Sequence, residues 1–339
     1  MVERRPGISV VCVTPVKNEA WILPRFLECA SLWADHIVVA DQGSTDGSRE
    51  IARRFPKVHL IENSAAGYDE GARQRLLLEA ARRIPGRRLI VALDADEVLT
   101  ANVLSSREWP AALEAEEGTV IRFDWVNLLP GLESCWIPPE PLALGLVDDG
   151  SEHRGERIHS TRVPAPVGAP EVVLRDIKAL HYQHASPRRM RSKQRWYQCW
   201  ERVNHPRKRP IQLYRQYHRM DGVPRSWSRA VEPGWFAGYE DRGIDMRTVA
   251  DAEVHWWDGE VLDWMVEHGV SAFRRLDIWD VDWAELARLT GRELPPEASA
   301  DPRSQFERAV HAWLERTQRS KAGRPNVRLI QRLLVPLGW

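Results

Sequence analysis

ARRIPGRRLIVALDADEVL, residues 81–99, is the stretch from which the architecture can be read. Leu89–Leu93 is an unbroken apolar run that follows the turn residues Pro85 and Gly86, and it stops at Asp94. A run of that length without alternation reads as a strand buried on both faces, as in a parallel sheet covered by helices. The acids Asp94, Asp96 and Glu97 follow at once, with only Ala95 between the first two. Two carboxylates one residue apart at a strand end repel each other unless a cation lies between them. Oxygen ligands suit Mg2+ or Mn2+, ions that commonly also hold phosphates. The competing reading makes Asp94 a helix cap and Asp96 and Glu97 acids favoured by a helix N-terminus.

Outward from this strand, the first hundred residues alternate between two periodicities. Ile8–Val13, His36–Ala40 and Val58–Ile61 read as strands. Trp21–Trp33, Ser48–Phe55 and Tyr68–Ile84 read as helices, with Pro24 tolerated because it falls in a first turn. Strand–helix alternation predicts a parallel sheet with right-handed crossovers, whose ligands lie beyond the carboxyl ends of the strands. Those ends carry TPVKNE (residues 14–19), DQGSTDG (41–47) and DADE (94–97). Short strand-like runs follow at Thr119–Phe123, Val172–Leu174 and Ala179–Tyr182. Beyond Ala185 the pattern is mainly helical, including Asp301–Arg319 and the amphipathic Val327–Leu334.

The two spans TPVKNEAWILPRFLECASLWADHIVVADQGSTDGSREIAR and ARRIPGRRLIVALDADEVL together resemble the family 2 glycosyltransferases of the glycosyltransferase-A fold. The resemblance covers residues 8–100 well and 119–185 weakly. It implies that Pro15, Asn18 and Glu19 line a nucleoside pocket and that Asp41 meets the base or ribose. Gln42 stands where many relatives carry a second Asp, which leaves the base preference open. It further implies that Arg73 reaches the diphosphate and that Asp94, Ala95 and Asp96 form a DxD motif binding the nucleotide-sugar and its metal, Mn2+ or Mg2+.

Later, GERIHSTRVP and LRDIKALHYQH resemble a layout in bacterial relatives that modify lipopolysaccharide cores. There His181 would be a third metal ligand beside Asp94 and Asp96, a role open to a neutral imidazole. His159 matches an earlier histidine of that layout, but Ser160 replaces the glutamate that follows it. An inverting transfer needs a base for the acceptor hydroxyl. Without that glutamate the candidates are Glu156, Asp148 or Asp149, His159, and the pair Glu240 and Asp241.

Composition narrows the field further. Among 339 residues, 48 Lys and Arg balance 48 Asp and Glu, so net charge points to no polyanionic partner. Four dispersed cysteines suit a reducing cytosol. The apolar run near the N-terminus is too short for a secretory segment, and nothing reaches membrane-spanning length. Residues 185–229 hold 13 Lys or Arg against two acids, and 241–301 hold 15 acids against six Arg. Mutual pairing of these segments is favoured over nucleic acid or acidic lipid as the partner. The tryptophans Trp196, Trp200, Trp279 and Trp283 fall in i, i+4 pairs that favour core packing over stacking on acceptor sugars.

The expectation is therefore an α/β protein of glycosyltransferase-A type, with a mostly parallel, Rossmann-like sheet flanked by helices. A catalytic domain would span residues 1–184 and a helical, Trp-rich region 185–339, on the acceptor side. The implied reaction moves a sugar from a nucleotide-sugar donor, UDP-sugar favoured, to an acceptor hydroxyl on a glycan, lipid-linked sugar or small molecule. The expected location is cytoplasmic; peripheral contact with the inner membrane face and self-association stay open. A nucleotidyltransferase is disfavoured because TPVKNEA lacks a glycine-rich phosphate loop, and a catalytically inactive nucleotide-sugar binder is the main rival.

Overall fold

A computed structural model describes residues 7–65, 67–218, 223, 226–318 and 321–339. In chain order the first elements are β1 (Ile8–Val16), α1 (Leu23–Trp33), β2 (His36–Asp41), α2 (Ser48–Arg53), β3 (Val58–Glu62), α3 (Glu70–Arg82) and β4 (Arg87–Ala92). Next come β5 (Glu97–Leu99), α4 (Trp109–Glu114), β6 (Val120–Leu128), β7 (Ser134–Trp136), β8 (Leu142–Val147) and β9 (Glu171–His181). The remainder is α5 (Pro187–Asn204), α6 (Pro210–Tyr217), β10 (Ser228–Ala230), α7 (Gly234–Glu240), α8 (Trp256–His268), α9 (Trp283–Thr290), α10 (Gln305–Arg316) and α11 (Pro325–Leu334).

The chain divides into two units, residues 1–186 with 227–250, and residues 187–226 with 251–339. In the first, the strands run in the order β10-β7-β6-β8-β4-β1-β2-β3, and β9 pairs with both β6 and β5. The pairs β4–β1, β1–β2 and β2–β3 are parallel, and β8, antiparallel to both neighbours, joins this block to β6. The expected α/β fold with a parallel core flanked by helices is thus present, extended by antiparallel strands. Alternation along β1 explains the layers. Val11 and Val13 pack with Leu77, Leu78 and Ala81 of α3, and Val10 and Cys12 pack with Phe26, Leu27 and Ala30 of α1. Burying each such large side chain contributes roughly 1.5–3 kcal/mol.

Two boundaries differ from the sequence expectation for local reasons. The runs Val172–Leu174 and Ala179–Tyr182 belong to one strand, β9, whose pairing with β6 shifts register between Phe123 and Asp124. The bulge disrupts the two-residue period, and Asp124 takes both Arg175 and Lys178. Residues 227–250 lie in the first unit: β10 extends the β7 edge, and the Tyr182 hydroxyl donates to the Met246 carbonyl at 2.9 Å.

In the second unit the tryptophans pack inward. Trp196, Trp200, Trp257, Trp279 and Trp283 are all buried. Charge pairing between the basic and acidic segments occurs there, as in Arg195 on Asp280 at 3.1 Å. The terminal helix α11 buries Val327 and Leu334 but exposes Leu329, Ile330 and Leu333. No helix among the described residues is long and apolar enough to cross a membrane.

Candidate active site

The parallel register Val16↔Asp41 and Val13↔Ala92 brings the ends of β1, β2 and β4 to one edge of the sheet. There the KNE turn and the DQGSTDGS loop are knitted together. Asn18 adopts φ 57°, a left-handed conformation that asparagine tolerates better than most residues. Its Oδ1 accepts the Thr45 N–H at 2.7 Å, and its own N–H donates to Ser44 Oγ at 2.9 Å. The Glu19 N–H donates to Ser48 Oγ and the Ala20 N–H to Asp46 Oδ2, while Asp46 Oδ1 takes the Ser48 N–H and hydroxyl. Asn18 therefore shapes the loop with the groups expected to meet a ligand.

Asp41 is buried. Its Oδ2 accepts the Ser44 N–H at 3.2 Å and lies 3.5 Å from Arg49 Nε. Its Oδ1 is buried with no hydrogen-bond partner among the described residues. An unsatisfied buried acceptor of this kind costs about 1–3 kcal/mol, which a ligand donor would recover. Gln42 points elsewhere, and its Nε2 donates to the Ala65 carbonyl at 2.9 Å and the Gly67 carbonyl at 3.0 Å. A carboxylate could do neither, so the glutamine in place of the second Asp braces the loop after β3.

The DADE segment turns from β4 into β5. Glu97 is fully buried; its Oε1 accepts from Trp125 Nε1 at 2.7 Å and from an Arg162 terminal nitrogen at 2.8 Å. Arg162 also contacts Glu97 Oε2 and reaches Asp94 Oδ2 at 2.9 Å. This fork is the charge-assisted, two-nitrogen geometry at which arginine excels. Burial works against the Arg162 charge, but Asp94 and Glu97 outweigh it and hold the guanidinium pKa above its ordinary value. Ala95 is buried between its two acids.

Pairing of β5 with β9 sets Glu97 opposite His181, and β6 sets Asn127 beside it. The His181 ring stacks on Trp125 at 4.4 Å, and its Nδ1 lies 2.9 Å from Asn127 Oδ1. Burial pushes the His181 pKa down to about 4, so the ring is neutral at pH 7. With the proton on Nδ1, facing an amide oxygen, the Nε2 lone pair lies 3.7 Å from Asp96 Oδ2. The expected trio of Asp94, Asp96 and His181 is not gathered as one ligand set: no group of three His, Cys, Asp or Glu among the described residues is placed to hold a metal. Arg162 has taken Asp94 as a partner for its buried charge, which leaves Asp96 and His181 as the facing pair.

The candidate bases are scattered. Both oxygens of Asp148 are taken by Arg82 and Arg88, which excludes it as a base. Glu240 pairs with Arg247 at 2.7 Å, and Asp241 is exposed at the end of α7. The Glu156 and His159 side chains are exposed, and the Glu156 carbonyl accepts the Gly71 N–H. That bond belongs to a tight docking of residues 155–160 on the first turn of α3, completed by the Ser160 N–H on Glu70 Oε2 at 2.8 Å. One turn further, the Arg73 guanidinium lies over the Tyr68 ring at 5.4 Å. Glu97, Arg162 and Arg49 carry no expected site role in the sequence, yet they sit among these carboxylates. A buried carboxylate needs a counter-charge, but the linear sequence does not say which arginine supplies it.

Residues 11–107, which carry most of β1, all of β2 to β4 and the DADE segment, match the family described as Glycosyl transferase family 2. The chain is also similar to part of residues 1–349 of TarS from S. aureus, at 13% identity over 91% of this chain and 89% of that one, with a TM-score of 0.39. A match to glucosyl-3-phosphoglycerate synthase from Mycobacterium tuberculosis has 16% identity over 34% of this chain and 44% of that one, with a TM-score of 0.26. A mycobacterial protein matches at 16% identity over 35% of this chain and 41% of that one, with a TM-score of 0.28. The chain thus spans less than half the length of both mycobacterial proteins.

Proposed function

We propose that this protein is a glycosyltransferase that binds a nucleoside-diphosphate sugar, UDP-sugar favoured, across the carboxyl ends of β1, β2 and β4. The observation that carries the reading is the facing of the Asp96 carboxylate and the neutral His181 Nε2 at 3.7 Å beside the DADE turn. Two lone-pair donors with a mixed oxygen–nitrogen set suit Mn2+ better than Mg2+, which prefers oxygen ligands, and the ion would neutralise charge on a departing nucleoside diphosphate. The family match over residues 11–107 supports the same reaction class.

The chain's own groups divide the work in this reading. Asp41 Oδ1 accepts a hydrogen bond from the ribose or base, and Arg73 meets the diphosphate. Arg162 offsets one of the two charges of Asp94 and Glu97, so the loop can present Asp96 without the full repulsion of three neighbouring carboxylates. The acceptor proton goes to Glu156, His159 or Asp241, since Glu240 is bound to Arg247; a carboxylate or imidazole in that role would give inversion.

The test is a thermal-shift titration of the whole protein with UDP, with and without Mn2+. Mn2+ should raise the shift produced by UDP, and Asp96→Ala should abolish that increment while leaving the Tm of the free protein near its original value. A Mn2+ increment that survives both Asp96→Ala and His181→Ala removes this pair from the site.

A further inference from the structure

A separate feature lies wholly within the helical unit. A cavity of about 800 Å³ opens between α5, α6 and α10, within the size range of small-molecule sites. Among the described residues its lining holds six cations, Arg191, Arg195, Arg303, Arg308, Arg316 and Lys321, against Asp277, Asp280 and Glu315. Four-residue steps produce this wall: Arg191 and Arg195 share one face of α5, and Arg308, Ala312 and Arg316 share one face of α10.

Two of the three acids of the cavity, Asp277 and Asp280, are committed, while Glu315 stands exposed on α10. Asp277 takes His218 Nε2 at 3.0 Å, His311 Nδ1 at 3.2 Å and Arg303 at 3.0 Å. Burial works against the Asp277 charge, but the contacts from His218 and His311 overcome it and hold the carboxyl well below the usual range. Arg303 is further engaged by Asp301, and Asp280 by Arg195. This leaves Arg191, Arg316 and Lys321 with no carboxylate partner among the described residues, and the buried Nε of Arg195 with no hydrogen-bond partner. Like charges gathered on a concave wall raise the local potential and concentrate anions.

We propose that this cavity is a second ligand site, taking a small polyanion with at least two oxyanion groups, gripped by Arg191, Arg195, Arg308, Arg316 and Lys321. Arginine forks bind phosphate and carboxylate alike, so either a bisphosphate or a polycarboxylate carries the required chemistry. The rigid floor of Asp277, His218 and His311, with Tyr214 stacked on His218 at 3.9 Å, fixes the depth of the site. The site lies outside the segment that carries the nucleotide-sugar reading, so neither depends on the other.

Calorimetry on the whole protein in EDTA, with fructose 1,6-bisphosphate and citrate as probes, tests the proposal. At least one probe should bind, with an affinity that weakens as sodium chloride is raised; the one that binds more tightly tells phosphate from carboxylate. The double variant Arg191→Ala/Arg316→Ala, at two exposed positions, should weaken it by about tenfold or more, the loss of two charge-assisted contacts. Ala312→Trp, which fills the cavity from α10, should weaken it as well. Asp96→Ala should leave it unchanged, which separates this site from the nucleotide edge. Absence of binding by both probes, or binding equally tight in the double variant, overturns the proposal.

Discussion

Among single residues, the buried ion cluster around Glu97 bears most on stability. Glu97 is inaccessible and meets Arg162 through both oxygens, while Asp94 at the rim is about a third exposed. Removing one partner of a buried pair strands the other charge, typically at about 3–5 kcal/mol, whereas a rim pair contributes about 0–1 kcal/mol. Arg162→Ala should therefore cost about 3 kcal/mol or more in urea denaturation, and Asp94→Asn far less. Adding Glu97→Gln to Arg162→Ala should recover part of the loss. A double variant no more stable than Arg162→Ala alone would sink the idea that the stranded Glu97 charge is the cause. The same cluster explains why a DxD pair was legible in the sequence while its electrostatics were not: Arg162 is 65 residues from Glu97 along the chain.

Among the elements, the docking of residues 155–160 on α3 rests on a missing side chain. A Cβ at Gly71 would stand 2.5 Å from the Gly155 carbonyl oxygen, and one at Gly155 would stand 2.8 Å from Gly71 Cα. Two backbones approach here as only glycine permits. Alanine is the better helix former by about 1 kcal/mol, so propensity alone predicts that Gly71→Ala stabilises α3. Contact geometry predicts the opposite: a net loss of about 1–3 kcal/mol from overpacking against backbone that cannot rotate away. Chemical denaturation decides the sign, and a stabilised variant would show that the loop yields. The elements themselves are readable where one period holds throughout, as in β1 and α3. In β9 the bulge interrupts the period, and the long-range register with β6 supplies what local pattern cannot.

For the molecule as a whole, stability against pH follows from the groups whose pKa in the folded state departs from its unfolded value. His255, in the helical unit, is held neutral: burial, then Arg189 and Lys193, push its pKa down to about 3. Because the unfolded imidazole binds its proton near pH 6.5 and the folded one does not, its contribution to stability is full above about pH 6.5. It falls progressively as the pH drops from there toward 3. His255→Gln should flatten that part of the profile in thermal denaturation between about pH 7 and 4, and an unchanged slope would remove His255 as a cause. Strand–helix alternation, the helices that cover both faces of the sheet and the acidic ends of β2 and β4 are all written in the linear chain. They follow from periodicity and from the abrupt end of apolar runs, which are local properties. Folding in three dimensions had to settle that Arg162 would claim Asp94 and that Asp96 would face His181. It likewise settled that residues 227–250 would join the first unit and that arginines from α5 and α10 would share a cavity. Charges and orphaned acceptors select partners by distance in space, and no spacing along a chain encodes which distant group will arrive there.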